Sequence, residues 1–116
     1  MILCAVTDML FASRLTTAAR GLGVELAFAK TADAIVPRAR ELGASLVIFD
    51  LNQQSLRPMD AIAALKADGA LSAVRTLGYV SHVDAGTIAS ARAAGIDEVL
   101  ARSAFVEKLA DILTRP

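Results

Sequence analysis

The chain has 116 residues, with 12 basic and 12 acidic side chains, so its formal charge at neutral pH is zero. This length suits one domain, and we expect residues 1–116 to form a single unit. The balanced charge excludes electrostatic attraction to nucleic acid or to an anionic membrane, and no apolar stretch approaches the ~20 residues that span a bilayer.

The cysteine and histidine content excludes two further classes of protein. One cysteine, Cys4, and one histidine, His82, cannot build a disulfide framework or a Cys/His metal site. Cys4 lies in an apolar stretch and is predicted to pack as a small hydrophobic residue, and we expect no chemical role for His82. The amino terminus lacks the features of a signal peptide, which predicts a cytoplasmic location.

Strand-like and helix-like segments alternate along the chain. Apolar runs predict strands and amphipathic segments predict helices. In chain order, the predicted elements are strand 2–6, helix 9–22, strand 24–29, helix 33–42, strand 46–50, helix 59–68, strand 76–80, helix 84–94, strand 97–101 and helix 104–114. Asp84 is placed to cap its helix, whereas Pro37 predicts a helix that begins late or bends.

This alternation predicts an α/β fold. Short connections between alternating strands and helices imply right-handed crossovers, with helices on both faces of a parallel sheet. Five strands are too few for a closed eight-stranded barrel. We therefore expect a flavodoxin-like (βα)5 doubly wound sandwich with strand order 2-1-3-4-5, in which the first and third strands flank the switch point.

The run Leu46-Val47-Ile48-Phe49-Asp50 is apolar until it ends on a carboxylate. Such a run is typical of a strand buried on both faces. Because ligands bind outside the carboxyl ends of strands in open α/β sheets, Asp50 is a functional candidate, and Asp8 should meet it at the same crevice. The alternative is that Asp50 only caps the following turn and that Asp8 only caps the following helix.

Polar residues follow four of the predicted strands: Thr7 and Asp8, Asp50, Ser81, and Arg102. These residue types suit phosphoryl transfer. One carboxylate can act as the nucleophile, while a second holds a Mg²⁺ ion that neutralises the phosphoryl oxygens. A hydroxyl and a fixed cation would complete the enclosure of the transferred group.

At these positions the chain resembles the receiver domain of two-component response regulators, across nearly its whole length. The segments that carry the resemblance are Ile2–Asp8, Leu46–Asp50 with Pro58-Met59-Asp60, Ser81, and Ala94–Leu100. The resemblance implies that Asp50 is the phospho-acceptor, that Asp8, Asp50 and the backbone carbonyl of Asn52 bind Mg²⁺, and that Ser81 and Arg102 contact the phosphoryl group.

The chain also departs from the family pattern. Thr7 stands where the family has a second acid, which should weaken binding of Mg²⁺ because this ion depends on carboxylate charge. Arg102 replaces the family's lysine, and Ser103 replaces the usual proline. A planar guanidinium is not equivalent to a compact ammonium in a tight pocket. Val99 lies where the family has an aromatic residue, and the loop after Asp50 is longer.

Two functions follow from the resemblance. The first is a signalling module in a phosphorelay, which receives a phosphoryl group on Asp50 and acts on a protein partner, either a histidine kinase or an output protein. Its signalling face, and a face for a homodimer, would be the predicted fourth helix, fifth strand and fifth helix. The alternative is a pseudo-receiver that binds partners or dimerises without phosphorylation. We expect no enzyme turnover, since the sequence has no Gly-x-Gly-x-x-Gly segment after the first strand and no P-loop.

Overall fold

A five-stranded parallel sheet forms the centre of the computed structural model, which describes residues 1–82 and 84–115. The strand order is β2-β1-β3-β4-β5, as predicted. The strands are β1 (Ile2–Ala5), β2 (Leu26–Ala29), β3 (Leu46–Asp50), β4 (Arg75–Val80) and β5 (Glu98–Ala101). The helices are α1 (Met9–Gly21), α2 (Ile35–Leu42), α3 (Pro58–Ala67), α4 (Ala85–Ala94), α5 (Arg102–Glu107) and α6 (Leu109–Thr114).

Helices cover both faces of the sheet, because successive side chains of a strand point to opposite faces. In β3, Leu46 and Ile48 belong to the core shared with α1, α5 and α6. Val47 and Phe49 belong to the core shared with α2, α3 and α4. All four side chains are fully buried, so the apolar run was correctly interpreted as a strand with no solvent-facing side.

Several predicted boundaries need correction. The second strand begins at Leu26 and not at residue 24. β1, β4 and β5 each differ from the prediction by one residue at one end, whereas β3 has the predicted bounds. A 3-10 turn at Ala32–Ala34 precedes α2, so Pro37 falls in the first turn of the helix, where its missing N–H has no intrahelical partner to lose. The late start that was predicted from Pro37 is therefore confirmed.

The predicted helix 104–114 was wrong as a single element. The chain forms two short helices, α5 and α6, separated at Lys108, whose ψ of 7° departs from the helical value. The buried residues Phe105, Leu109 and Ile112 keep helical spacing across the break, which explains why the sequence pattern indicated one helix. The first of the two helices also begins at Arg102, directly after β5.

Two smaller predictions, the packing of Cys4 and the helix cap at Asp84, are confirmed. Cys4 is fully buried, and burial raises the pKa of its thiol to about 12, as expected for a cysteine with a packing role. Asp84 caps α4 by accepting the N–H of Gly86 at 2.9 Å. None of the helices in the described ranges is both long and apolar enough to cross a membrane.

A polar network joins the amino-terminal ends of β4 and β5. The carboxylate of Asp97 accepts the backbone N–H of Thr76 at 2.8 Å, the hydroxyl of Thr76 at 3.0 Å and the ammonium of Lys66 at 2.8 Å. Burial acts to raise the pKa of Asp97, but the hydrogen bonds from Lys66 and Thr76 outweigh it and lower this pKa below its ordinary value. This network lies at the opposite end of the sheet from Asp50.

Candidate functional site

The carboxyl ends of β1, β3 and β5 bring Asp8, Asp50 and Arg102 together, and we call these three residues the notch. The side chain of Asp50 follows Leu46 and Ile48 on the face covered by α1 and α5, because all three share the period of the strand. Asp8 precedes α1 and Arg102 begins α5 on that same face. The topology thus brings the two predicted carboxylates and the predicted cation to one place.

Asp8 has two contacts in the notch. One oxygen, Oδ1, accepts the N–H of Phe11 at 3.1 Å and so caps α1. The other, Oδ2, lies 4.0 Å from Nη2 of Arg102. The alternative role of Asp8 as a helix cap is therefore real, but it uses only one of the two carboxylate oxygens.

The guanidinium of Arg102 rests on an aromatic ring. Its Cζ atom lies 4.1 Å from the centroid of Phe11, well within the distance at which a cation is attracted by the ring face. Phe11 in turn packs against the rings of Tyr79 and Phe105, with centroids 5.0 and 6.1 Å away. A buried aromatic cluster therefore fixes the position of the notch cation, a role for which a planar guanidinium is better suited than an ammonium.

Asp50 is half-buried, and its surroundings act on its pKa in both directions. Burial raises the pKa of Asp50 above its ordinary value, and the charge of Asp8 adds to the rise. The N–H of Asn52 and the charge of Arg102 oppose it. Tyr79 pairs with Asp50 across β3 and β4, and burial together with the Asp50 charge raises the pKa of its hydroxyl.

Asn52 connects the loop after β3 to the loop after β4. Its backbone N–H donates to Oδ1 of Asp50 at 3.1 Å, an arrangement that also satisfies the turn-capping alternative for Asp50. Its side-chain oxygen accepts the backbone N–H of Ser81 at 2.7 Å and that of His82 at 3.4 Å. The sequence predicted roles for the Asn52 carbonyl and the Ser81 hydroxyl, whereas the contacts that are formed use the Asn52 side chain and the Ser81 backbone.

The loop after β3 packs closely against the backbone of Gly78 in β4. A β-carbon at position 78 would lie 2.6 Å from Cδ1 of Leu51 and 2.9 Å from Cδ1 of Ile96. Leu51 is almost fully buried, and its N–H donates to the carbonyl of Tyr79 at 3.1 Å. The glycine therefore provides the space in which the residue directly after Asp50 is anchored.

The donor set of the notch limits what metal it can hold. Asp8 and Asp50 each use one carboxylate oxygen in a backbone hydrogen bond and have a second oxygen for other contacts. Within residues 1–82 and 84–115, no group of three or more His, Cys, Asp or Glu side chains is arranged to bind a metal. Two carboxylates are suitable ligands for Mg²⁺, because this ion keeps several waters when it binds to a protein. The affinity should be low, since two carboxylates supply little negative charge and the positive charge of Arg102 repels the ion.

Sequence reasoning missed three residues that shape the notch. Phe11 carries the Arg102 guanidinium, Gly78 admits Leu51, and Tyr79 lies beside Asp50 in the sheet. The position of Phe11, three residues after Asp8 on the buried face of α1, was a signal that could have been used, because a capping residue bonds the N–H at this position. The role of Gly78 depends on packing between elements and had no local signal.

Comparison of the sequence with models of protein families found no match, and the search of curated proteins found none either.

Solved structures, in contrast, match along nearly the whole chain. A response regulator from Hahella chejuensis aligns with a TM-score of 0.82 and 14% identity, over 97% of this chain and 87% of that one. The signal receiver domain of a response regulator from Bermanella marisrubri gives 0.80 and 18%, over 98% and 97%. The chemotaxis response regulator CheY4 of Vibrio cholerae gives 0.80 and 13%, over 97% of each chain. At such identities the similarity establishes the fold, which is that of receiver domains.

Proposed function

We propose that this chain is a signalling module that accepts a phosphoryl group on Asp50. The observation that carries the proposal is the half-buried Asp50 carboxylate at the end of the central strand, with Asp8 and Arg102 beside it. The fold supports it, since it matches that of response regulators, among them the phosphorylated cyanobacterial phytochrome response regulator RcpA at a TM-score of 0.72 and 17% identity.

The chemistry is a transfer of one phosphoryl group. A carboxylate oxygen of Asp50 attacks the phosphorus of a small phosphodonor and forms a new P–O bond, while the bond from phosphorus to the donor breaks and its electron pair leaves with the donor. Arg102, fixed on Phe11, is placed to offset the charge of the phosphoryl oxygens. We infer that the chain is modified once per cycle and is not a turnover enzyme.

A Mg²⁺ ion would be held by Asp8, Asp50 and the backbone carbonyl of Asn52. When bound, the ion supplies positive charge to the phosphoryl oxygens. A related fold, the response regulator Rcp1, has been solved in a Mn²⁺-bound form, at a TM-score of 0.71 and 10% identity. With only two carboxylates in the notch, we expect the affinity for Mg²⁺ to be low.

The message would pass to a protein partner, either a histidine kinase or an output protein. Modification would add roughly one further negative charge at Asp50, enough to rearrange the neighbouring loops. The face for the partner, or for a homodimer, is proposed to be α4, β5 and α5. We also infer a cytoplasmic location, where such partners and phosphodonors are found.

A second function is supported by the contacts that already occupy the notch. Asp8 caps α1 and lies near Arg102, and Asn52 already bridges the two loops. These contacts suit a pseudo-receiver that binds its partner without phosphorylation. Partner binding that is unchanged in Asp50→Asn would favour this second function.

The deciding experiment is incubation with acetyl phosphate and Mg²⁺, followed by measurement of the intact mass. We expect a gain of one phosphoryl group in the wild type and in Asp60→Asn, a control that changes an exposed carboxylate outside the notch. Asp50→Asn should show no gain. Absence of the gain in the wild type, or its persistence in Asp50→Asn, would refute phosphoryl transfer to this residue.

A further inference from the structure

The side chain of Asn52 lies where two backbone N–H groups converge. Those of Ser81 and His82 point at a single oxygen atom, Oδ1 of Asn52, at 2.7 and 3.4 Å. Two adjacent N–H groups aimed at one point form a concavity that favours an anionic oxygen. A neutral amide oxygen occupies that point in this structure.

The same concavity adjoins Asp50. Asp50 pairs with Tyr79 across β3 and β4, and Ser81 follows Tyr79 by two residues on the neighbouring strand exit. Asn52 itself is bonded to Asp50, because its N–H donates to the Asp50 carboxylate at 3.1 Å. Asn52 therefore links the Asp50 carboxylate to the backbone N–H groups of the loop after β4.

We propose that Asn52 is an internal competitor, whose amide oxygen holds the N–H groups that an anionic group on Asp50 would need. This proposal rests on the function proposed above, and it identifies Asn52 as a residue that opposes the phosphorylated state. An anionic group attached to Asp50 binds these N–H groups only when the Asn52 side chain leaves them. Until then, Asn52 keeps the loop after β4 tied to the loop after β3 without any modification.

The contact itself is tested by the exchange of backbone amides in NMR. Loss of a hydrogen bond of ordinary net strength should speed the exchange of the Ser81 and His82 amides about fivefold in Asn52→Ala. The Gly86 amide, which Asp84 holds in the first turn of α4, is the internal control and should not change. Asn52→Asp keeps an acceptor with a full charge, and should slow the exchange of the Ser81 amide.

The competition is tested with beryllium fluoride, a mimic of a phosphoryl group, titrated in the presence of Mg²⁺ and followed by the Leu51 amide resonance. Asn52→Ala should bind the mimic about fivefold more tightly than the wild type. Equal or weaker binding by the variant, no binding by either protein, or unchanged exchange at Ser81 would each overturn the inference. If the mimic behaves as expected but acetyl phosphate gives no covalent product, the proposed function fails and the competition stands.

Discussion

Gly78→Ala should destabilise the protein through one defined contact. Gly78 lies in β4, and the added methyl carbon would be 2.6 and 2.7 Å from Cδ1 and Cγ of Leu51 and 2.9 Å from Cδ1 of Ile96. These distances are shorter than carbon atoms tolerate, so at least one buried side chain has to move. Neither neighbour has open solvent to enter, because Leu51 is 3% exposed and Ile96 is 9% exposed.

Two terms of opposite sign give the magnitude. Overpacking of a close-packed core costs about 1–3 kcal/mol. Replacement of glycine by alanine within a strand recovers roughly 0.5–1 kcal/mol, because it restricts the unfolded chain. The two ranges give a net loss in the free energy of unfolding of roughly 0–2.5 kcal/mol, centred on about 1 kcal/mol. Gly69→Ala is the matched control, since a methyl group there meets no atom within 4 Å, and the restriction of the unfolded chain alone should leave its stability unchanged or raise it by up to about 1 kcal/mol.

Urea unfolding measures both variants, and a double-mutant cycle identifies the contact. Leu51→Ala alone should cost about 2–5 kcal/mol because it leaves a cavity. The methyl group added at position 78 partly fills that cavity, so the double variant should lose at least about 1 kcal/mol less than the sum of the single losses. The reasoning is wrong if Gly78→Ala is as stable as Gly69→Ala, or if the two single effects are additive.

Three further predictions concern charged groups. Burial raises the pKa of Asp50, so the stability that this carboxyl contributes is present at low pH and is lost as the pH rises through its folded pKa. Asp50→Asn should accordingly have a higher urea midpoint than the wild type at pH 7, and this gain should vanish below the ordinary pKa of 3.8. An equal or lower midpoint at pH 7 would contradict the prediction. Arg102→Ala should raise the pKa of Asp50 further, which the carboxyl ¹³C shift measures, and a lowered pKa would count against the geometry of the notch. The pKa of Asp97 is lowered, so its stabilising effect is present above 3.8 and is lost as the pH falls through the folded pKa. Because this side chain is exposed, Asp97→Asn should cost only about 0.5–1 kcal/mol at pH 7, and it should flatten the acid limb of the stability curve. An unchanged acid limb would exclude this role.

The strand order and the position of Asp50 could be predicted because both depend on local patterns. An apolar run with no polar alternation specifies a strand buried on both faces, and alternation of strands with helices leaves few topologies. The convergence of Asp8 and Asp50 then follows from the strand order alone. The capping contacts of Asp8 and Asp84 could also be predicted, since a cap bonds residues only two or three positions away.

The remaining features of the site depend on which side chains meet across separate elements. Arg102 rests on Phe11 from the far end of the chain, and Asn52 reaches the N–H of Ser81 across 29 positions. Neither pair produces a periodic pattern in the sequence, because each contact depends on a single residue at one position of its loop or helix. The division of the last helix was missed for a different reason, since the apolar spacing continues through Lys108 and the periodic signal therefore does not show the break.

The balance between the two proposed functions can be stated as an energy. Two contacts would have to break before a phosphoryl group could bind Arg102 and the N–H of Ser81: that of Arg102 with Asp8 and that of the Asn52 side chain with Ser81. An exposed ion pair or hydrogen bond of this kind contributes about 0.5–1 kcal/mol, so the two together oppose a phosphoryl group by about 1–2 kcal/mol. That corresponds to about 5–30-fold in the occupancy of the modified arrangement. The internal contacts would thus slow or limit the response to phosphorylation, while the energy of a reactive phosphodonor exceeds what is needed to overcome them. Partial modification by acetyl phosphate is the outcome that this balance predicts.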